Sequence, residues 1–271
     1  MSFQVSKILE QDQYRISNPL KEKFSIVIPA YNEENRIKPV LDELNKFILI
    51  NRLNWNVIVA VDGEDRTLDI VDSFNSRCGF IKSNHSSNRE GMGGAIRRGI
   101  LSSDGDYIIL MDADGSTRID DLVKFVPLLE KYDIVNFDRY SSKENFIPLK
   151  RRISSRIFNV LLRSIFDLKI KDTQCGYKLL KRKSIEPILK NITVSNAFFL
   201  SALFIYSKRM GLKTTEMPIK YSYAHGSKFN VVMTGLSYIV SITAFRLKHS
   251  PFFEHIPNFV KNLYYEKLKF L

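Results

Sequence analysis

Cysteine is nearly missing from this chain: Cys78 and Cys175 are the only two in 271 residues. Two cysteines make no disulfide framework, and neither has a zinc-ligand partner at short spacing, so the pattern suits a reducing compartment and two small buried side chains. Long apolar runs are missing too. The most apolar segment, residues 231–245, is shorter than the roughly 20 residues a bilayer-spanning helix needs. No charged, then apolar, then small-residue pattern opens the chain, so no signal peptide is expected and residues 1–23 read as a loosely held polar arm. Acid is scarce in one half only. Residues 139–271 carry 24 Lys/Arg against 7 Asp/Glu, a balance of +17, whereas residues 1–138 carry 17 against 22, a balance of −5. The net charge of +12 is therefore entirely C-terminal. Such a field attracts nucleic acid, anionic lipid and phosphorylated substrates alike. Nucleic acid is disfavoured, because the aromatics lie with aliphatic runs instead of alternating with Arg on strands.

What is present is a regular alternation. Apolar runs at 24–28, 55–61, 80–83, 107–111 and 134–137 read as strands, and the helical patterns at 33–47, 65–74, 93–101 and 119–129 lie between them. Strands alternating with helices predict an α/β fold with a mostly parallel sheet and helices on both faces, and ligands at the C-terminal strand ends. After residue 139 the pattern changes. Residues 146–166 form a basic amphipathic stretch, with Ile153, Ile157, Val160, Leu161 and Phe166 at helical spacing among Lys150, Arg151, Arg152, Arg156 and Arg163. That stretch reads either as a helix on a membrane surface or as one packed on the domain with a solvated basic face. His85, His225, His249 and His255 have no convergent partners and read as structural or surface residues.

The strand ends carry the chemistry. The first runs into Pro29-Ala30-Tyr31-Asn32-Glu33-Glu34, where Glu33 can accept from a ribose hydroxyl, and the second ends at Asp62-Gly63, where a carboxylate can accept a base N–H. The fourth, an apolar run, ends in Asp112-Ala113-Asp114. Two carboxylates one residue apart beyond a buried strand suit a hard cation, Mg²⁺ or Mn²⁺, that takes its other oxygens from a diphosphate. Three acidic strand ends along one sheet edge make a crevice.

These residues, with Asp65, Thr67, Asn88, Gly91, Gly93, Gly94 and Ala95, resemble the family 2 glycosyltransferases of GT-A (Rossmann-like) fold. Further along, Arg139-Tyr140, Arg151 to Ser155, Asp172-Thr173-Gln174-Cys175-Gly176-Tyr177-Lys178 and Gly226-Ser227-Lys228 are similar to the dolichyl- or polyprenyl-phosphate glucose and mannose synthases of that family. Apolar strand plus Asp112-x-Asp114-Gly115 also resembles the nucleophile motif of haloacid-dehalogenase phosphatases, but there the motif sits on the first strand with Thr or Val after the Gly, and here Ser116 follows.

The resemblance implies an inverting, metal-dependent transfer of a hexose from a nucleotide diphospho-sugar to a polyprenyl or dolichyl phosphate. Its Gln-Cys-Gly form implies glucose, hence UDP-glucose, ahead of mannose and GDP-mannose. It implies a donor site of Pro29, Ala30, Tyr31, Glu33, Asp62, Gly93, Asp112, Ala113, Asp114, Asp172 and Lys228, with the metal on Asp112 and Asp114. Arg139, Arg151 and Ser155 would hold the acceptor phosphate, Arg152 competing with Arg151, and Gln174 would lie under the sugar. The segment 196–202 lacks the acidic residues that relatives with hydroxyl acceptors use as a base, which favours a phosphate acceptor; a hydroxyl acceptor and an inactive membrane-surface module are the alternatives. The expected organisation is a GT-A domain over 24–230, with a nucleotide- and metal-binding half at 24–138 and an acceptor half at 139–230. An amphipathic segment at 231–271 would bind an anionic membrane surface or a second copy of the chain. The implied location is peripheral, on the cytoplasmic face of a membrane.

Overall fold

The computed structural model describes residues 22–223 and 240–247, around a seven-stranded sheet. In chain order the elements begin β1 (Phe24–Tyr31), α1 (Ile37–Ile50), β2 (Asn56–Asp62), α2 (Thr67–Cys78), β3 (Ile81–His85), α3 (Gly91–Leu101) and β4 (Tyr107–Leu110). They continue with α4 (Ile119–Val123), a 3-10 turn (Val126–Glu130), β5 (Ile134–Asp138), α5 (Leu149–Phe166), β6 (Lys178–Lys181), α6 (Arg182–Leu189), α7 (Phe199–Arg209) and β7 (Thr214–Pro218). Residues 240–247 are helical. The segment 1–21, the Gly226-Ser227-Lys228 motif and most of 231–271 lie outside the described residues.

The strand order is β3-β2-β1-β4-β6-β5-β7. β3, β2, β1 and β4 pair in parallel, as does β5 with β7, while β6 runs antiparallel to both β4 and β5. β5 therefore does not lie against β4, as plain βαβ succession predicts; β6, from the second half of the chain, enters between them. Pro29 is tolerated inside β1 because the pairing with β4 ends at Val27, leaving β1 one neighbour at that level.

Period-two alternation sorts the strand side chains onto the two faces. Ile26 and Ile28 join the cluster that α1 and α2 cover with Leu41, Leu44, Phe47, Val71 and Phe74. Val27, Ile108 and Leu110 join the opposite cluster, under α3, α5, α6 and α7. Helices thus cover both faces, as expected.

Two helical expectations are corrected. The helix expected over 119–129 stops at Val123 and continues as the 3-10 turn, because Pro127 has no N–H and its ring excludes the preceding helical carbonyl. The helix expected from residue 33 begins at Ile37, and Glu33 instead closes a turn by accepting from the Arg36 and Ile37 amides, both at 2.9 Å. The amphipathic stretch does form α5, but its inner face is narrow: Phe158, Asn159 and Leu162 are buried. The apolar residues Ile153, Ile157, Val160 and Leu161 are exposed, as is Phe146 just before the helix. Among the described residues no helix is long and apolar enough to cross a membrane. Of the cysteines, Cys175 is buried and Cys78 only half-buried.

Candidate active site

The C-terminal ends of β1, β2 and β4 open on one cleft of about 430 Å³. Pro29, Ala30, Tyr31, Glu33, Asp62, Asp112, Ala113 and Asp114 line it, together with Arg36, Arg89, Gly91, Met92 and Ala95. The loop after β1 is pinned from the loop after β2. The Asp65 carboxylate accepts from the Glu34 amide (3.0 Å) and from the Thr67 hydroxyl (2.6 Å), and that hydroxyl accepts from the Glu33 amide (2.8 Å). Asn32 takes a left-handed conformation (φ 54) with its Oδ1 accepting from the Glu64 amide. Glu33 is thereby held at the cleft, where Arg36 grips both of its carboxylate oxygens, at 2.7 and 2.6 Å.

Asp62 is buried at the rim. One of its oxygens accepts from the Arg98 guanidinium (2.6 Å) and the other from the Glu90 amide (3.0 Å), so the second strand end is tied to α3. Gly93, expected at the donor, has a packing place instead: its amide donates to the Ser195 carbonyl (2.6 Å), and a side chain there would overlap Phe199. Arg89 stacks on Tyr31, 4.3 Å from the ring centre. Arg36 and Arg89 are cleft residues that sequence reasoning missed; for Arg36 the signal available was a cation just beyond the acidic end of β1.

Asp112 and Asp114 stand together at the end of β4. Burial, then the Asp114 carboxylate, pushes Asp112 up to about 6, against the pull of Arg139, Lys178 and Arg151. Asp114 accepts from the Ser116 amide at 3.0 Å. Two carboxylates that repel one another at a cleft are a donor set that fits a hard divalent cation with substrate oxygens. Among the described residues no group of three or more His, Cys, Asp and Glu side chains is placed to hold a metal ion.

A second, smaller pocket of about 60 Å³ is lined by Arg139, Tyr140, Arg151, Ser154, Ser155, Phe158 and Gln174. The three residues expected at the acceptor phosphate, Arg139, Arg151 and Ser155, come together here with Gln174, expected under the sugar, and Arg151, not Arg152, is the one that lines the pocket. Among the described residues no carboxylate lines it. Arg139 is 6% exposed and Asp172 0%. The Asp172 carboxylate accepts from Arg139 Nε (2.8 Å) and Nη2 (2.9 Å), a two-pronged buried pair. Asp172, expected at the donor sugar, thus has no open surface and acts on the pocket through Arg139, which also lies between the Tyr140 and Tyr221 rings. The loop from Asp172 to Tyr177 hangs on Lys178, a fully buried ammonium that donates to Asn136 Oδ1 (2.9 Å) and to the carbonyls of Thr173 and Cys175. Gln174 donates to the Ser201 hydroxyl (2.6 Å), which ties this loop to α7 and the acid-free segment 196–202. Lys228 lies outside the described residues.

The family described as Glycosyl transferase family 2 matches residues 25–189, a stretch that holds the strand-end cleft and the small pocket alike. A dolichyl-phosphate beta-glucosyltransferase from Trichomonas vaginalis is 29% identical over 229 residues, covering 80% of this chain and 71% of that protein. One from Saccharomyces cerevisiae is 26% identical over 248 residues, covering 83% and 74%. Among solved structures, glucosyl-3-phosphoglycerate synthase from Mycobacterium tuberculosis in complex with Mn²⁺, UDP-glucose and phosphoglyceric acid superposes with a TM-score of 0.60 at 15% identity, over 86% of this chain and 82% of that one. Mannosyl-3-phosphoglycerate synthase from Rubrobacter xylanophilus gives 0.63 at 16% identity, over 84% and 74%. At such identities the two superpositions speak for the fold alone.

Proposed function

The chain belongs to glycosyl transferase family 2 and is a glycosyltransferase, and from that premise we propose that it moves glucose from UDP-glucose to a polyprenyl or dolichyl phosphate, with inversion at C1. One observation carries the reading. The acceptor-side pocket presents Arg139 and Arg151 and, among the described residues, no carboxylate, and the charges of both arginines act on Asp112 in the donor cleft. Donor and acceptor sites therefore share a boundary at the carboxylate pair. The relatives' names supply the acceptor and the beta linkage, which from an alpha-linked nucleotide glucose is an inversion.

A phosphate monoester is ionised near neutral pH and needs positioning, not a general base. Arg139, Arg151 and Ser155 hold the acceptor phosphate, and Gln174 hydrogen-bonds the hexose. An acceptor oxygen attacks C1, the bond from C1 to the diphosphate breaks, and the electron pair leaves with UDP. Asp112 and Asp114 would hold Mn²⁺ or Mg²⁺, which would neutralise the diphosphate; the Mn²⁺ and UDP-glucose in the mycobacterial structure support this.

The outer face of α5 supports a peripheral location. This helix turns Arg151, Ser155 and Phe158 to the pocket while Ile153, Ile157 and Val160 are exposed beside the cations Lys150 and Arg156. Resting that outer face in an anionic membrane surface sets the pocket at headgroup depth, as a peripheral protein on the cytoplasmic side. Proton NMR of the product made from UDP-glucose or GDP-mannose tests donor and stereochemistry together. A β-glucosyl phosphate supports the reading; mannosyl transfer or an α-anomer contradicts it.

A further inference from the structure

Arg36 lines the donor cleft and has no part in the chemistry above. We propose that Arg36 is a ligand of the donor diphosphate that stabilises the departing nucleotide, and that Glu33 positions it; the inference rests on the function proposed above.

A guanidinium carries five N–H groups. Two of Arg36's groups, Nε–H and one N–H of Nη2, are committed to Glu33, at 2.7 and 2.6 Å. This two-pronged pair fixes the plane of the guanidinium, because Glu33 is itself pinned through its amide to Thr67. Nη1 and the second N–H of Nη2 have no hydrogen-bond partner among the described residues. The side chain is 27% exposed, lines the cleft with Asp112 and Asp114, and is close enough for both carboxylates to act on its charge.

The competing account is a helix-start ion pair with no further role. Position argues against it. Arg36 is the N-cap residue of α1, where the helix dipole disfavours a cation, and the first turn of α1 carries no acid to compensate. A partly exposed ion pair between residues three apart adds little to stability. A cation kept where the local helix does not want it, held flat by a fork and facing the carboxylate pair, fits an anion lying between Arg36 and a cation on Asp112 and Asp114. In a nucleotide sugar that anion is the diphosphate.

During transfer the bond between C1 and the diphosphate oxygen breaks, and its electron pair stays on that oxygen, so the diphosphate gains one negative charge. Arg36 keeps all its protons and offers a charge-assisted hydrogen bond that strengthens as that charge develops. Glu33 then acts through Arg36 as a positioning residue.

The test uses the full chain with Mn²⁺: UDP binding by isothermal titration, uridine binding by ligand-detected NMR, and steady-state transfer. Arg36→Met should weaken UDP about 30-fold, the worth of a charged hydrogen bond, and leave uridine within about twofold. It should also lower kcat, and Arg36→Lys should recover part of both losses. Retained uridine binding certifies that the variant is folded. UDP and uridine weakened alike, or UDP binding unchanged, overturns the role of Arg36. A wild-type chain that binds no UDP overturns the donor assignment itself, before any variant is compared.

Discussion

Gly176 lies so close to Asp112 that a Cβ at Gly176 would overlap both oxygens of the Asp112 carboxylate. The loop carrying Gln174 thus rests on the Asp112 carboxylate. Gly176→Ala must displace Asp112. The expected result is a fall of about 100-fold in kcat with a raised Mn²⁺ requirement and an unchanged circular-dichroism spectrum, because a shift of about 1 Å in a reacting group is worth that much. Transfer rates over a Mn²⁺ titration check it; wild-type kinetics would mean that the contact has no part in catalysis.

The two pockets predict two separable defects. Asp114→Ala should abolish transfer and the metal-dependent part of UDP binding, whereas Arg151→Ala should leave UDP affinity within about twofold and raise the KM for lipid phosphate by tenfold or more. Calorimetry with UDP and acceptor-dependent kinetics separate them. If both variants lose only membrane association, the catalytic assignment fails.

The donor half was readable in the sequence because each apolar run ended in its own polar group: Glu33, Asp62 and the Asp112/Asp114 pair line one cleft, as the strand ends imply. The acceptor half was harder to read. β6 is Lys178-Leu179-Leu180-Lys181, a run too short and too charged to stand out as a core strand, and Lys178 is nonetheless buried, its ammonium satisfied by Asn136 and two carbonyls. β7 carries Thr214, Thr215 and Glu216, and becomes a strand by pairing with β5, a contact that no local pattern encodes. Asp172 and Gly93 lie in the expected motifs, but their partners, Arg139 and Phe199, come from distant elements. The nearness of Arg36 to Asp112 and Asp114 is not legible in the sequence, because the sheet order sets it.

Lys178 gives a pH signature of folding. Burial lowers it from 10.5 to about 8, the surrounding Cys175 and Asp172 pulling the other way. The unfolded chain therefore binds more protons than the folded one between about 8 and 10.5, and this group makes stability rise with pH across that window. Its charging penalty is fully present below pH 8 and amounts to about 3 kcal/mol at 1.36 kcal/mol per pH unit. Lys178→Met removes the dependence. Urea unfolding of both proteins at pH 7.5 and 10 should show the wild type gaining on the variant by an amount of that order; a constant difference would mean that Lys178 titrates normally.

The outer face of α5 predicts vesicle binding. Ile153 and Ile157 are exposed on a helix with cations beside them. At ~0.8 kcal/mol per buried CH₂, Ile153→Glu with Ile157→Glu should lower partition onto anionic vesicles by more than about tenfold, while UDP binding is kept. Co-sedimentation with phosphatidylserine vesicles reads this directly. Unchanged sedimentation would move the membrane contact away from α5.

The central claim is that this glycosyltransferase uses a phosphate acceptor. The most direct measurement is mass spectrometry of the lipid fraction after incubation with UDP-glucose, Mn²⁺ and either a short polyprenyl phosphate or the corresponding polyprenol. A hexosyl phospholipid from the phosphate alone is the predicted result. Transfer to the polyprenol hydroxyl, or consumption of UDP-glucose without any lipid product from the phosphate, would contradict it.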